Sequence, residues 1–483
     1  MCVWIRGFVV AIFTLVALTG AGVAEDKRFA PPDVRAEFQD LYARLKASHF
    51  NLFVRRPQGE YDTLYRQMLA SFDRPMTAFE VRVQFQKFMA FGRIAHSRID
   101  FPSEVFGAYR DGGGKIFPLG IRFARGRPFV AKDAGGARVA LEGREIVALN
   151  GTPIDPWIER LAANVSADNP YMMQALLENR LPALLWLEFG ATDQFTLRSR
   201  AADGTFDTVV PARTREEIRA ASAQKAGMLA LDWDARVFKM MANGVGYMRP
   251  GPFYNNDPNA TDIWDVAAFR AFIDGSFETL MKQRARSLVI DLRDNPGGDN
   301  SFSDIMVQWF ATKPFRFTSR FEIKVSEAAI AANAKRLTPN DTDSISAKFA
   351  AAYAKAKIGD VIPFDIPMVG PRAGARFGGR VFILINRHSY SNTVMVAALA
   401  QDYRFATIVG EETSDLASTY GAMEQFTLPR TGIEVGFPKA HIVRPSGDTA
   451  ARGVVPDIAI ETPIIEGADD PVLRQAVETA SGR

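Results

Sequence analysis

Apolar positions recur at helical spacing through the front of the chain. Phe38, Leu41, Tyr42 and Leu45 share one face, and so do Val81, Phe85, Phe88 and Met89. The spacing predicts a helical region over residues 25–108. It closes in FGRIAHSRIDFP (91–102), where polar and apolar positions begin to alternate and Pro102 stops the run. A helix should give way there to a turn and a strand.

From 109 to 213 the pattern changes. Glycine clusters (Gly112 to Gly114, Gly135, Gly136) punctuate short alternating runs such as FPLGIRF (117–123) and RPFVAK (127–132). GREIVALNGTPID (143–155) reads as a strand, a turn through Asn150 and Gly151, and a helix from Pro156. FTLRSRAADGTFDTVVPA (195–212) reads as a hairpin around Asp203 and Gly204. This is a small β-rich domain with a helical stretch, 156–192, that is long for it.

From 214 to 483 strands and helices alternate. GVGYMRP (244–250), SLVIDLR (287–293), VFILIN (381–386) and ATIVGEE (406–412) are apolar enough for strands buried on both faces. Amphipathic stretches, 301–311 and 391–402, lie between them, and the Ala/Lys-rich segment 325–358 predicts surface helices. The fold class expected is α/β.

Three features of composition narrow the function. The net charge is +3 with no block of Lys or Arg, so a nucleic-acid partner is not indicated. Arg6, the apolar run Phe8 to Leu18 and the small residues Gly20, Ala21, Gly22 and Ala24 follow the order of a cleaved export signal (1–24). The run is shorter than the roughly 20 residues of a membrane span, so a soluble periplasmic or secreted protein is expected. The one cysteine, Cys2, falls inside that signal, which leaves no thiol for a disulfide, a metal site or a nucleophile. No Walker loop, zinc-spaced histidine pair or dinucleotide fingerprint occurs, so no cofactor or metal is expected.

Two segments carry candidate chemistry. DLRDNPGGDN (291–300) follows an apolar strand and opens a helix, so its backbone N–H groups can serve an oxyanion or anion site, or simply turn the chain. NRHSYSNTVMVAALAQD (386–402) follows another such strand and sets Ser391 at a strand-to-helix turn, the end of an open sheet where chemistry collects. A serine there can also be only a helix cap, and Ser389 competes for that role.

In order along the chain, DLRDNPGG, RHSYSNTVMVAALAQD, IVGEET and GVVPDI (453–458) resemble the C-terminal-processing (tail-specific) serine peptidases. GREIVALNG resembles the PDZ module that such enzymes often carry. The resemblance runs from about residue 30 to 465. It implies a crotonase-like (ClpP/crotonase) α/β catalytic domain over 214–483, an N-terminal helical region and an inserted PDZ-like domain over 109–213. It implies Ser391 as nucleophile, with oxyanion donors on Asn392 and on Gly297 or Gly298. Leu416 in GEETSDL (410–416) stands where the better-known branch has its lysine, so a Ser–Lys dyad is not expected. The tricorn-core-like branch uses a histidine from the helical front end. AHSRIDF (95–101) fits that turn and makes His96 the general base among four histidines, His49, His96, His388 and His441. Its carboxylate partner is left open. Ala450 occupies the family's glutamate position, Asp448 stands two residues away, Glu412 is the alternative, and Ser97 could instead support the ring. The PDZ-like domain would take a peptide C-terminus at Leu119 and Gly120 by strand addition. The expected partner is a polypeptide substrate. The rival expectations are a peptidase scaffold that only binds peptides or small hydrophobic ligands, and an ester-cleaving acyl hydrolase.

Overall fold

The computed structural model describes residues 27–135, 140–224, 233–465 and 469–482. The expected signal (1–24) and its cleavage position lie outside the described residues.

The fold is mixed α/β. Its central sheet runs in the spatial order Ile458–Ala459, Thr407–Gly410, Arg380–Ile385, Ser287–Asp291, Val245–Arg249, Val237–Met240. The neighbours are parallel except for the last pair, which is antiparallel. The four apolar segments read from the sequence supply the four inner strands. They are apolar throughout because helices cover both faces. Helices Ala267–Lys282, Asn300–Val307 and Asn392–Asp402 pack on one face around Phe277, Ile290, Ile383 and Ala397. Helix Pro471–Ser481 covers the other face through Val472, Leu473 and Ala476. Both segments with candidate chemistry leave the carboxyl ends of adjacent parallel strands, which brings their turns together.

A second, antiparallel sheet runs in the order Val361–Pro363, Arg320–Lys324, Glu434–Val443, Thr419–Thr427. Helices Glu327–Ala334 and Ile345–Tyr353 come from the segment expected to be surface helix, and each exposes its outer side. Both bury one side, Ala329, Ala332, Phe349 and Tyr353. Alanine lets the first helix lie close against a strand, and Phe349 and Tyr353 fill the space over Phe321 and Ile442.

The front-end helices, Pro31–Ser48, Gln58–Ser71 and Ala78–Phe91, form as the spacing predicts. The last begins in a capping box between Thr77 and Glu80, which satisfies two free N–H groups at the helix start. These helices do not hold their core alone. Phe38, Phe85 and Phe88 share it with Phe426, Val435 and Phe437 of the second sheet. That contact holds the turn after the third helix near the central sheet.

Residues 119–211 form an antiparallel sheet in the order Leu119–Ala124, Arg127–Asp133, Glu145–Leu149, Gln194–Ala201, Gly204–Pro211, with a short strand Thr152–Pro153 beside the third. The helical stretch expected as one splits into Ile154–Ala162 and Pro170–Phe189. Asn169 caps the second helix through its side chain and Pro170 fixes its first turn. Leu177, Leu181 and Leu185 of this long helix pack over Phe117, Ile121 and Phe123.

Candidate active site

Ser391 sits immediately before helix Asn392–Asp402 with φ 55° and ψ −123°. A non-glycine residue there is strained, and the strain persists only because neighbours hold the turn. Its side chain makes no capping bond. Its N–H donates to Asp415 Oδ2 at 2.7 Å, and Leu416 N–H donates to Asp415 Oδ1 at 2.9 Å. Ser389, the competing cap, is fully buried and donates to the Leu292 carbonyl at 2.8 Å. Asn295 ties the two turns together. Its Oδ1 accepts from Thr393 Oγ1 at 2.8 Å and from Gly297 N–H at 2.9 Å.

The glycine pair separates into two roles. A Cβ on Gly297 would stand 2.8 Å from Asn392 N and 2.9 Å from Ser391 Cβ, and one on Gly298 would stand 2.1 Å from the Phe253 carbonyl oxygen. Both positions also have positive φ, 90° and 140°, so only glycine fits. Gly297 N–H is spent on Asn295. Among the described residues no acceptor faces the N–H of Gly298 or of Asn392, and both residues line the cavity that holds Ser391.

That cavity has a volume of about 440 Å³ and is also lined by His96 and Asp415. The structure therefore brings together Ser391, His96, Gly298 and Asn392. His96 lies on the turn after the third front-end helix. A two-way backbone pairing between Arg98 and Gly436 fixes this turn to the second sheet, at 3.1 and 2.8 Å. The His96 ring stacks on Tyr390, the residue before the serine, with centroids 5.9 Å apart. Burial, and then the Arg98 charge, push its pKa down to about 3. Its Nδ1 is buried without a partner.

Other expected residues stay outside this cavity. Asp448 is placed on the surface, where it accepts from Ala450 N–H at 2.9 Å and pairs with Arg452 at 3.4 Å. Glu412 faces a different depression, with Tyr171 and Arg452. Neither carboxylate is brought to His96, because the chain around Ala450 turns outward at an exposed loop. Ser97 Oγ is buried and unpartnered, so it does not support the ring. His388 turns away, 3.0 Å from Glu178 Oε2. His49 is buried and accepts from Asn51 N–H, and His441 stacks on Tyr420. Leu119 and Gly120 begin the edge strand of the 119–211 sheet. Further along that edge, Phe123 N–H already donates to Glu178 Oε1 at 2.6 Å, and the Phe123 carbonyl accepts from Arg387 Nη1 at 2.8 Å.

Two carboxyls near the site were not singled out in the sequence. Asp415, in the TSDL turn, is buried, and burial together with the Asp168 charge push its pKa up to about 7. Asp168 is also buried, and burial raises it to about 6 against the pull of Arg55 at 3.2 Å. The Ala95 backbone hydrogen-bonds Asp168, whose Oδ2 is buried without a partner. A lone Asp in SADNP or TSDL has no distinguishing pattern.

The far end of the cavity is apolar, with Phe317, Phe349, Ile366, Met395 and Ile442. One buried ionic group interrupts it. Glu424 pairs with Lys439 at 2.6 Å and with Arg336 at 2.9 Å.

A strained serine turn, a buried imidazole and two open amides share one cavity, an arrangement that a serine-type peptidase can use. Residues 261–460 match the model of peptidase family S41. Among solved structures, mature CPAF in complex with lactacystin is 14% identical, with 94% of this chain and 97% of that one covered and a TM-score of 0.65. Mature CPAF alone is 15% identical, with 93% and 96% covered and a TM-score of 0.63. At these identities the likeness is one of fold. The photosystem II D1 C-terminal processing protease is more distant, at 16% identity, 89% and 93% covered and a TM-score of 0.45. No curated protein matches the chain. Among the described residues no helix is long and apolar enough to cross a membrane.

Proposed function

We propose that this chain is an exported, C-terminal-processing peptidase that cleaves polypeptides through an acyl-enzyme on Ser391, with a crotonase-like catalytic domain and a PDZ-like module over 109–213. The shared cavity of Ser391, His96, Gly298 and Asn392 is the observation that carries this reading. The His96 imidazole takes the hydroxyl proton as Ser391 Oγ bonds to the peptide carbonyl carbon. The Gly298 and Asn392 amides hold the resulting oxyanion, and Gly297 keeps their turn in place through Asn295. The imidazolium then protonates the leaving amine as the C–N bond breaks. Water, deprotonated by the same imidazole, hydrolyses the ester and restores the hydroxyl.

Asp168 is our candidate for the carboxylate that Asp448 and Glu412 are not placed to supply, although it makes no hydrogen bond to His96 in this structure. It is anchored at Ala95 beside the histidine, and its unpartnered Oδ2 and the unpartnered His96 Nδ1 are both buried. An ionised Asp168 would raise the basicity of an imidazole that burial alone depresses. The apolar far end of the cavity favours substrates with a large apolar side chain next to the scissile bond.

Cleavage of an unfolded protein such as casein by the wild type, lost in Ser391→Ala and reduced at least about a hundredfold in His96→Ala, tests the reading. Cleavage that survives Ser391→Ala would refute it. The second reading, a peptide-binding scaffold without turnover, is favoured by the depressed basicity of His96. It predicts peptide binding with no hydrolysis.

A further inference from the structure

A second cavity of about 510 Å³ lies behind the nucleophile turn, walled by Tyr390 and Pro296 on one side and by helix Pro170–Phe189 on the other. Tyr390 is its boundary with the first cavity, since its ring stacks on His96 and its hydroxyl accepts from Arg98 Nη1 at 2.9 Å. The charges around this space are unevenly matched. Arg387 is paired with Glu178 at 2.7 Å and with Glu411 at 2.6 Å. His388 faces Glu178, and Arg98 faces Asp100 at 3.3 Å. Asp294 in the wall accepts from Asn386 Nδ2 at 2.8 Å. Arg180 also lines the cavity, yet it makes no hydrogen bond or ion pair among the described residues. Burial and the like charge of Arg98 both disfavour its charged form, and Asp100 offsets them only in part.

A guanidinium held in a recess without a partner is costly, and a fixed fork of donors matches a carboxylate. The module's edge strand offers a poor alternative for a peptide terminus. Its Phe123 N–H and carbonyl are already bonded to Glu178 and Arg387, and the long helix packs down over it.

We infer that Arg180 anchors a substrate carboxylate in this second cavity, so that a peptide is held by an acidic end beside Tyr390 while its scissile bond lies over Ser391. This rests on the peptidase reading for its purpose, although not for the binding itself. The carboxylate can come from a peptide C-terminus or from an Asp or Glu side chain.

The test uses the mature full chain with Ser391→Ala, so that binding is read without turnover. Three probes are compared by calorimetry: acetyl-trialanine with a free C-terminus, the same peptide as its C-terminal amide, and acetyl-Ala-Asp-Ala amide. Binding of the free acid at least about tenfold tighter than the plain amide, a gap a charge-assisted bond can produce, assigns the site to a C-terminus. The same gain for the Asp peptide alone assigns it to a side chain. Adding Arg180→Gln should erase the gain and Arg180→Lys should retain part of it, with the melting temperature of each variant recorded to show that it folds. Equal binding of all three probes, or a gain that survives in a folded Arg180→Gln protein, overturns the inference. Fluorophosphonate labelling of the wild type is measured in parallel. Absent labelling with intact carboxylate preference would sink the peptidase reading and leave this site standing.

Discussion

The N–H of Ser391 donates to the carboxylate of Asp415 at 2.7 Å. That bond spans the Ser391 turn and the TSDL turn, and its acceptor is a buried acid whose pKa burial has raised to about 7. The serine's backbone is thus held in a strained conformation by a group that titrates near neutrality.

Removing that acceptor should slow chemistry more than binding. In Asp415→Ala the Ser391 amide loses its partner and the turn at φ 55° loses a restraint. Turnover should fall by roughly tenfold to a hundredfold, the scale of losing a charged hydrogen bond, with KM little changed. Steady-state kinetics on one quenched peptide would check this, and a change confined to KM would contradict it.

The pH profile should carry the signature of the two buried acids. Asp168 and Asp415, raised to about 6 and about 7, are protonated in mild acid and ionise as the pH rises. Ionised Asp415 accepts the Ser391 amide, and under the proposed mechanism ionised Asp168 would support the imidazolium. Activity should therefore rise between pH 5 and about pH 8, with apparent values belonging to the pair. Asp415→Asn should remove the upper step. A profile unchanged by that substitution would count against the assignment.

The glycines of DNPGG give a steric prediction. Gly298→Ala drives a Cβ to 2.1 Å from the Phe253 carbonyl and moves an amide proposed to hold the oxyanion. Turnover should drop by about 10²- to 10³-fold, measured as kcat against the wild type. Near-normal turnover would remove Gly298 from the oxyanion site.

Much of this was legible because it depends on local pattern. The inner strands are continuous apolar runs, and a strand, a tight turn and a helix around Ser391 need no distant partner to be read. His96 as a base was an expectation from resemblance alone, since nothing local says that a turn near residue 96 folds to the cavity of Ser391. Asp168 and Asp415 escaped because burial, and not a sequence pattern, sets their raised pKa. In the segment 325–358 the surface helices were legible but the closeness of their packing was not, because alanine suits an exposed helix and a closely packed one equally.

The latch beside the active site should dominate local stability. Arg387, 9% exposed, binds Glu178, Glu411 and the Phe123 carbonyl. Arg387→Ala leaves buried carboxylates uncompensated and should cost about 3–5 kcal/mol, read from denaturant unfolding. A cost below about 1 kcal/mol would show that the pairs are replaceable by water.

His49 should make the fold acid-sensitive. Burial and then Lys324 lower its pKa to about 3 from 6.5. Below pH 6.5 the unfolded chain takes up a proton that the folded chain refuses. The stability it contributes is therefore full above 6.5 and falls by roughly 1.4 kcal/mol per unit toward pH 3. His49→Gln should show a flatter stability curve over pH 6.5 to 4. Parallel curves for the two proteins would contradict this.

The most direct measurement is covalent. The wild-type chain is treated with a fluorophosphonate and the adduct is located by peptide mass spectrometry. One modified residue, Ser391, is expected, with labelling slowed strongly in His96→Ala. An adduct on another serine, or labelling indifferent to His96, would contradict that expectation.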